Sequence, residues 1–353
     1  DSNCPLDPPG FGTARLLCAF GPESADLPHV VHDTIRRGCG YYYESLFIRN
    51  AAYRAEFMLR SSTESREKVF RIVYFVSMEY YLSKMSRVRF LAIDRLAEMP
   101  GVDVFYFGPG WPGYRADWTV QQNLVRLSTG AFPIDFVIWY KPTGKEGAWE
   151  PDRRLPFPTC IRYNEMWDEA HTKNEINATR SDLVVCHHKN DWEKYHEMYA
   201  TCERGVKLAY IPHHADPRIF FDRGQPRPID ILISGSLGVR HYPLRNRMNK
   251  LLNNYKDTWF GKYNIETLAH PGYNRDDAAS NTALCQYAEW INRSKICIAC
   301  TSKWKYQLGK YIEIPMCGGV ICGDIPPNND PAYSDFVLEI SLDMSDREIA
   351  DVL

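Results

Sequence analysis

No apolar run in this sequence approaches the roughly 18 residues that a membrane-spanning helix needs, so none is expected. No charge of one sign dominates: 42 Lys and Arg stand against 44 Asp and Glu, for a net charge of -2. That balance gives no electrostatic case for nucleic acid or an anionic membrane as partner. Paired CxxC motifs at zinc spacing are missing, and Cys297 with Cys300 reads as the end of a strand. No signal peptide is visible and the chain opens on Asp1, so a fragment, a processed form or a module of a longer protein is expected. The two halves share no detectable repeat. The compartment stays open, with the cytoplasm favoured over the secretory pathway.

The 353 residues are enough for two domains with full cores. Apolar residues at 44% and charged residues at 24% are ordinary for a soluble globular chain. Aromatic content is high, with 22 Tyr and 9 Trp, which serves either a tyrosine-rich core or sugar stacking. The 11 cysteines are an odd number, so at least one is unpaired within the chain. Cys186, Cys297, Cys300, Cys317 and Cys322 fall in or beside apolar stretches and are expected as buried thiols. Cys4, Cys18 and Cys39 could pair in an oxidising compartment. Sequons at Asn177 and Asn292 are about what chance supplies at this length and decide nothing.

Residues 1–65 read as an N-terminal extension, Pro- and Gly-rich and then tyrosine-rich. From residue 66 strands alternate with helices. Strands are expected at 69–76, 101–107, 135–140, 157–163, 182–186 and 206–211, with helices at 83–98 and 189–200. Gly108 to Tyr114 is a turn-dense loop. Residues 213–228 form a Pro-rich linker. The rhythm then restarts with strands at 229–234 and 263–268, helices at 244–255 and 284–292, a late strand at 336–340 and a helix from Ser345. Such alternation implies right-handed crossovers and parallel sheets. The expected domains are therefore 66–212 and 229–353, both Rossmann-like.

One stretch organises the second domain. Ser294 to Asp324 reads as strand, basic loop, short helix and strand. Lys295 to Cys300 is a buried strand. Gly309 to Met316 is a helix that ends on Gly318 and Gly319, where positive φ costs little. Glu313 is the one acidic group in that helix, with Lys310 one turn before it. A carboxylate there lies at the carboxyl edge of a parallel sheet, where open α/β proteins bind ligands. Two carboxylate oxygens suit a vicinal diol such as a ribose, provided that Glu313 opens on a groove. A helix N-terminal carboxylate favoured by the macrodipole is the plainer reading.

Glu313 followed by I-P-M-C-G-G-V-I-C-G-D resembles the second half of the nucleotide-sugar motif of retaining "group 1" GT-B glycosyltransferases. The segment I-P-H-H-A-D-P-R-I-F, then I-D-I-L-I-S-G-S, resembles that family's hinge and first donor-domain strand. The motif's first carboxylate falls on Lys305 here, a departure closest to the spore-coat-protein-like subgroup. A Gly-rich loop frequent after the first strand is replaced by Ser77-Met-Glu-Tyr-Tyr. The resemblance implies a GT-B fold, two Rossmann-like domains facing each other across a cleft. It also implies transfer of a sugar from a UDP- or GDP-sugar to a hydroxyl of a glycan or glycoconjugate, retaining and metal-independent, with no further cofactor. A nucleotide-sugar epimerase or hydrolase, and a non-catalytic glycan- or nucleotide-binding module, are the alternatives.

Such chemistry needs the leaving diphosphate neutralised and the acceptor hydroxyl held in line. Gly235 and Ser236 follow the first donor-domain strand, where glycine lets backbone approach a phosphate; Arg240 and Arg245 supply charge. The same turn reads equally as a plain one with solvated arginines. Lys305 and Lys310 are a second source of charge, Lys310 also reading as a surface partner of Glu313. Thr301 and Ser302 could hydrogen-bond a phosphate or sugar, and Tyr273 could stack a base. On the acceptor side Glu165 and Asp168 are the catalytic candidates, with an N-cap as the plainer role for Asp168.

Overall fold

The computed structural model describes residues 69–81, 87–130, 132–140, 154–200, 205–270, 280–327 and 333–353. The expected N-terminal extension, Cys4, Cys18, Cys39 and Tyr273 lie outside the described residues.

Eleven strands are described, all in parallel pairs where pairing is recorded. The first sheet holds β1 (Phe70–Phe75), β2 (Val102–Phe107), β3 (Phe136–Trp139), β4 (Thr159–Tyr163), β5 (Leu183–Cys186) and β6 (Lys207–Tyr210), in the order β2-β1-β3-β4-β5-β6. The second holds β7 (Ile229–Gly235), β8 (Ile265–Ala269), β9 (Ser294–Ile298), β10 (Val320–Gly323) and β11 (Val337–Glu339), in the order β11-β10-β9-β7-β8. The helices are α1 (Met78–Tyr81), α2 (Arg87–Leu96), α3 (Val120–Thr129), α4 (Glu169–Thr179), α5 (Lys189–Ala200), α6 (Pro243–Asn254), α7 (Ser280–Asn292), α8 (Lys310–Met316), α9 (Tyr333–Phe336) and α10 (Asp346–Val352). Two parallel sheets in a mixed α/β chain are what the strand–helix alternation requires. The first sheet ends at Tyr210 and the second begins at Ile229. Chain contacts group the described residues into two compact units, 69–161 with 175–181, and 162–174 with 182–270 and 281–353.

In the first unit the core is aromatic. Tyr74, Tyr81, Tyr106 and Trp111 are buried together. The hydroxyls of Tyr81 and Tyr106 donate to Asp94 Oδ1 at 2.9 and 2.5 Å, and Trp111 Nε1 donates to the Val76 carbonyl at 2.8 Å. Gly108 has φ +139°, and a Cβ there would stand 2.7 Å from the Val76 oxygen, so the turn after β2 requires glycine. The helix α3 begins with a capping box, Thr119 and Gln122, and buries Val120, Leu124 and Leu127.

In the second unit the core is aliphatic: Ile231, Ile233, Leu244, Met248, Leu251, Leu252 and Ile298 pack with Phe260, Cys300 and Cys322. The five cysteines expected as buried thiols are buried and free. The linker is fixed to this unit. Arg227 donates to the carbonyls of Ser294 at 2.8 Å and Cys317 at 2.6 Å. The Asn292 amide accepts from Arg223 N at 2.9 Å and donates to the Phe221 carbonyl at 3.0 Å. That sequon asparagine is fully buried and acts as a structural tie.

Candidate functional site

The carboxyl ends of β7 and β9 bring three ionisable side chains together under the turn that follows β7. Arg245 lies in the first turn of α6, two residues past the Pro243 that starts it. Lys310 and Glu313 lie one turn apart on α8. Arg245 is 2% exposed and Glu313 8% exposed. Lys310 Nζ donates to Ser234 Oγ at 2.6 Å and to the Tyr287 hydroxyl at 2.7 Å. Its ammonium lies 4.4 Å from the Tyr287 ring centre. Arg245 Nη1 donates to the Ser236 carbonyl at 3.1 Å, and its guanidinium lies 4.5 Å from the Tyr242 ring centre. Its Nε and Nη2 are buried with no hydrogen-bond partner among the described residues.

Gly235 makes this crowding possible. It has φ +92°, and a Cβ there would stand 3.2 Å from Arg245 Nη1 and 3.5 Å from Lys310 Cε. Only glycine ends the strand in this backbone beside two cations without displacing one. Gly309 plays a similar part for Glu313, since a Cβ would stand 2.9 Å from Oε1.

The electrostatics are those of an under-neutralised positive site. Burial lowers the Lys310 ammonium and Arg245 lowers it further, while Glu313 pulls it back. Burial raises the Glu313 carboxyl, against Lys310 and the Tyr287 hydroxyl. His270, just past β8, is held below the usual histidine range by burial and then by Lys310 and Arg245. Lys310 thus lies between a second buried cation and one buried carboxylate, and Arg245 retains two unused donors.

Several expectations need correction. Glu313 is packed behind its neighbours rather than open, because its oxygens lie against Gly309 and in reach of Tyr287 and Lys310. It lies beside the Lys310 ammonium and is 8% exposed, so it does not open on a groove as expected. Lys310 is no surface partner, since Ser234 and Tyr287 hold it inside. Arg245 is not a solvated arginine. Lys305 stands apart from the cluster: it is exposed, has φ +60°, and its Nζ lies 3.5 Å from Asp324 Oδ2. Thr301 and Ser302 are buried and engaged. Thr301 N donates to Asp324 Oδ1 at 2.8 Å and its hydroxyl to Oδ2 of the same residue, while Ser302 Oγ accepts from Trp304 N at 3.3 Å. Arg240 is exposed and Ser236 half-buried. Asp168 is exposed and caps α4, its Oδ1 accepting from His171 N at 3.0 Å. Glu165 is exposed and raises both Asp191 and Tyr306 through its charge.

The sequence reading missed Ser234, Tyr287, Asp191 and Asp324. A signal existed for two of them. Asp324 directly follows a buried strand, and Ser234 is the penultimate residue of another, so both fall at the same sheet edge as the cations. Tyr287 and Asp191 sit inside helices, where only the packing shows which face they offer.

No family model matches the chain, and no curated protein matches it. Solved structures do. The pneumococcal O-GlcNAc transferase GtfA in complex with UDP and GlcNAc aligns at 13% identity over 61% of this chain and 48% of that one, with TM-score 0.36. A GtfA/B complex aligns at 10% identity over 62% of this chain and 48% of that one, with TM-score 0.36. A putative UDP-N-acetylglucosamine 2-epimerase from Listeria monocytogenes aligns at 9% identity over 80% of this chain and 82% of that one, also with TM-score 0.36. The chain spans about half the length of the two transferase structures.

Proposed function

We propose that the chain is a GT-B-type glycosyltransferase that takes a UDP- or GDP-sugar and passes the sugar to a hydroxyl of a glycan or glycoconjugate. One observation carries the reading: Arg245 is buried with two unused donors, beside Lys310, at the carboxyl edge of a parallel sheet. A buried guanidinium without an anion is costly, and native structures complete such groups with a partner. A diphosphate supplies two negative groups and several acceptors, and Arg offers it a planar fork of donors. The Gly235 turn lies directly over these cations.

In this reading Arg245 and Lys310 stabilise the negative charge that grows on the leaving nucleoside diphosphate as the anomeric C–O bond breaks. The acceptor oxygen forms the new bond to the anomeric carbon and gives its proton to an oxygen of the departing diphosphate. Glu313 keeps Lys310 charged inside the protein. Transfer without a metal ion belongs to the proposal, since two fixed cations can do the work of neutralisation, and retention belongs to it on the resemblance of the Glu313 motif alone.

The test uses the whole chain against a panel of UDP- and GDP-sugars, with EDTA present. At least one should raise the melting temperature and release free nucleotide slowly. Arg245→Met should abolish both. A panel in which no nucleotide binds would overturn the proposal, and binding with no nucleotide release would favour the non-catalytic module.

A further inference from the structure

We infer that Trp167 and Trp304 form a carbohydrate-binding platform that takes the apolar face of a neutral pyranose ring, with Glu165 beside it to accept the sugar's hydroxyls. That the bound sugar is the acceptor rests on the transferase reading above.

Trp167 is 48% exposed. Its indole stacks on that of Trp304 at 4.9 Å and 20°. One face of Trp167 is therefore covered and rigidly backed, which leaves exposed area for a second flat partner. The backing is built rather than accidental. Asn190 Nδ2 donates to the Trp304 carbonyl at 3.0 Å. Lys303 Nζ lies 4.5 Å from the Trp304 ring centre and His241 5.4 Å from it. Tyr306 stacks behind at 6.1 Å, and His188 stacks on Tyr306 at 3.9 Å and 6°.

Both tryptophans are pinned through one buried carboxylate. Asp191 Oδ1 accepts from the Tyr306 hydroxyl at 2.8 Å, two residues from Trp304. Asp191 Oδ2 accepts from Met166 N at 3.0 Å, one residue from Trp167. Each oxygen of Asp191 thus fixes one side of the stack, which makes Asp191 a positioning residue. The exposed Glu165 directly precedes Met166, whose N–H Asp191 holds, and lies two residues before Trp167.

The chemistry suits a sugar. A pyranose offers a flat patch of C–H groups to an aromatic face and hydroxyl donors at its rim. Its place along the sheet suits an acceptor. Sheet order puts β8 with His270 on one side of β7 and β9 on the other. The loop after β9 carries Trp304, and its Lys303 N donates to the His241 carbonyl at 2.9 Å, in the turn that covers Arg245. The platform is thus joined to the cation site on the side away from β8.

The experiment titrates the whole chain, with and without saturating UDP or GDP, with maltotriose, cellotriose, chitotriose and xylotriose, and follows tryptophan fluorescence. At least one trisaccharide should give a saturable change. Trp167→Ala, at an exposed position, should keep the fold and nucleotide binding but weaken that sugar roughly tenfold, the scale of an aromatic contact. Asp191→Asn should weaken it less while altering the far-ultraviolet exciton signal of the stacked indoles. No response from any of the four sugars, or an unchanged affinity in Trp167→Ala, overturns the inference. Nucleotide binding without sugar binding would sink the platform alone. Sugar binding without nucleotide binding would support the platform and sink the transferase reading.

Discussion

Each compact unit buries a charged side chain deep in its structure, and the two are treated in opposite ways. Asp94 in the first unit meets two tyrosine hydroxyls, neutral donors that come from β2 and from α1. Arg245 in the second unit meets one carbonyl, one aromatic face and a second cation, and keeps two donors unused. The first arrangement gathers both hydroxyls on one carboxylate oxygen and serves the core. The second leaves two guanidinium nitrogens without partners among the described residues, the feature on which the proposed diphosphate site rests.

The largest effect should come from deleting each charge. Asp94→Leu removes the acceptor of two buried hydroxyls and should cost about 3 kcal/mol in denaturant unfolding. Arg245→Met should leave stability within about 1 kcal/mol, or raise it, because it removes an incompletely paired buried cation. Its nucleotide affinity should fall at least about 100-fold, since bonds to charged groups are the strong ones. Equal destabilisation by both substitutions would erase the contrast.

Acid should separate the two units next. Residues 69–161 contain no histidine. In the second unit His187, His188, His213 and His214 cluster with ring centres 4.9 to 6.5 Å apart where contacts are recorded. His187 Nδ1 lies 2.6 Å from the Ile211 carbonyl, and its Nε2 accepts from Arg162 at 2.6 Å. Burial pushes His187 and His188 down to about 3, with Arg162 adding to the effect on His187. Burial also lowers His213 and His214. Asp216 opposes the shift at His214, and Asp191 and Tyr306 lie beside His188. The native state holds these rings neutral while the unfolded chain takes up protons below about 6.5. Stability is therefore fully present above about pH 6.5 and is lost as pH falls towards 3. For His187 and His188 the loss should approach about 1.4 kcal/mol each per pH unit within that window. Hydrogen exchange at pH 5 should show opening in 182–228 before 69–130. Uniform loss of protection would refute the assignment.

The smallest effect contrasts two glycines. Gly101 has φ +75° and open space where a Cβ would go, whereas Gly235 has φ +92° and Arg245 and Lys310 there. Gly101→Ala should cost about 1 kcal/mol of backbone strain. Gly235→Ala should cost somewhat more, and it alone should weaken nucleotide binding. If nucleotide binding is unaffected, the turn is only a turn.

Much of the fold was legible from periodicity. The apolar runs at 69–76 and 229–234 could only be buried strands, and the strand–helix alternation required parallel sheets. The four-residue helices α1 and α9 escaped that reading, and so did two longer ones, for different reasons. The helix α3 carried a readable capping box at Thr119 and Gln122. The helix α4, E-A-H-T-K-N-E-I-N-A-T, has almost no apolar stripe, so only its packing reveals it. At the site, the sequence singled out Arg245, Lys310, Glu313 and Gly235 by their places after strands. It misjudged how they are used, because exposure is not written in residue type.

The sequence alone determined the alternation of elements, the two parallel sheets, the glycine at the end of β7 and the basic character of the loop after β9. These follow from local periodicity, backbone sterics and charge, which act over a few residues. Tertiary structure alone decided that Glu313 is buried beside Lys310, that Arg245 keeps unused donors, and that Asp191 ties Met166 to Tyr306, over a hundred residues apart. Those outcomes depend on which side chains desolvate one another, and desolvation is set by packing between segments distant in the chain.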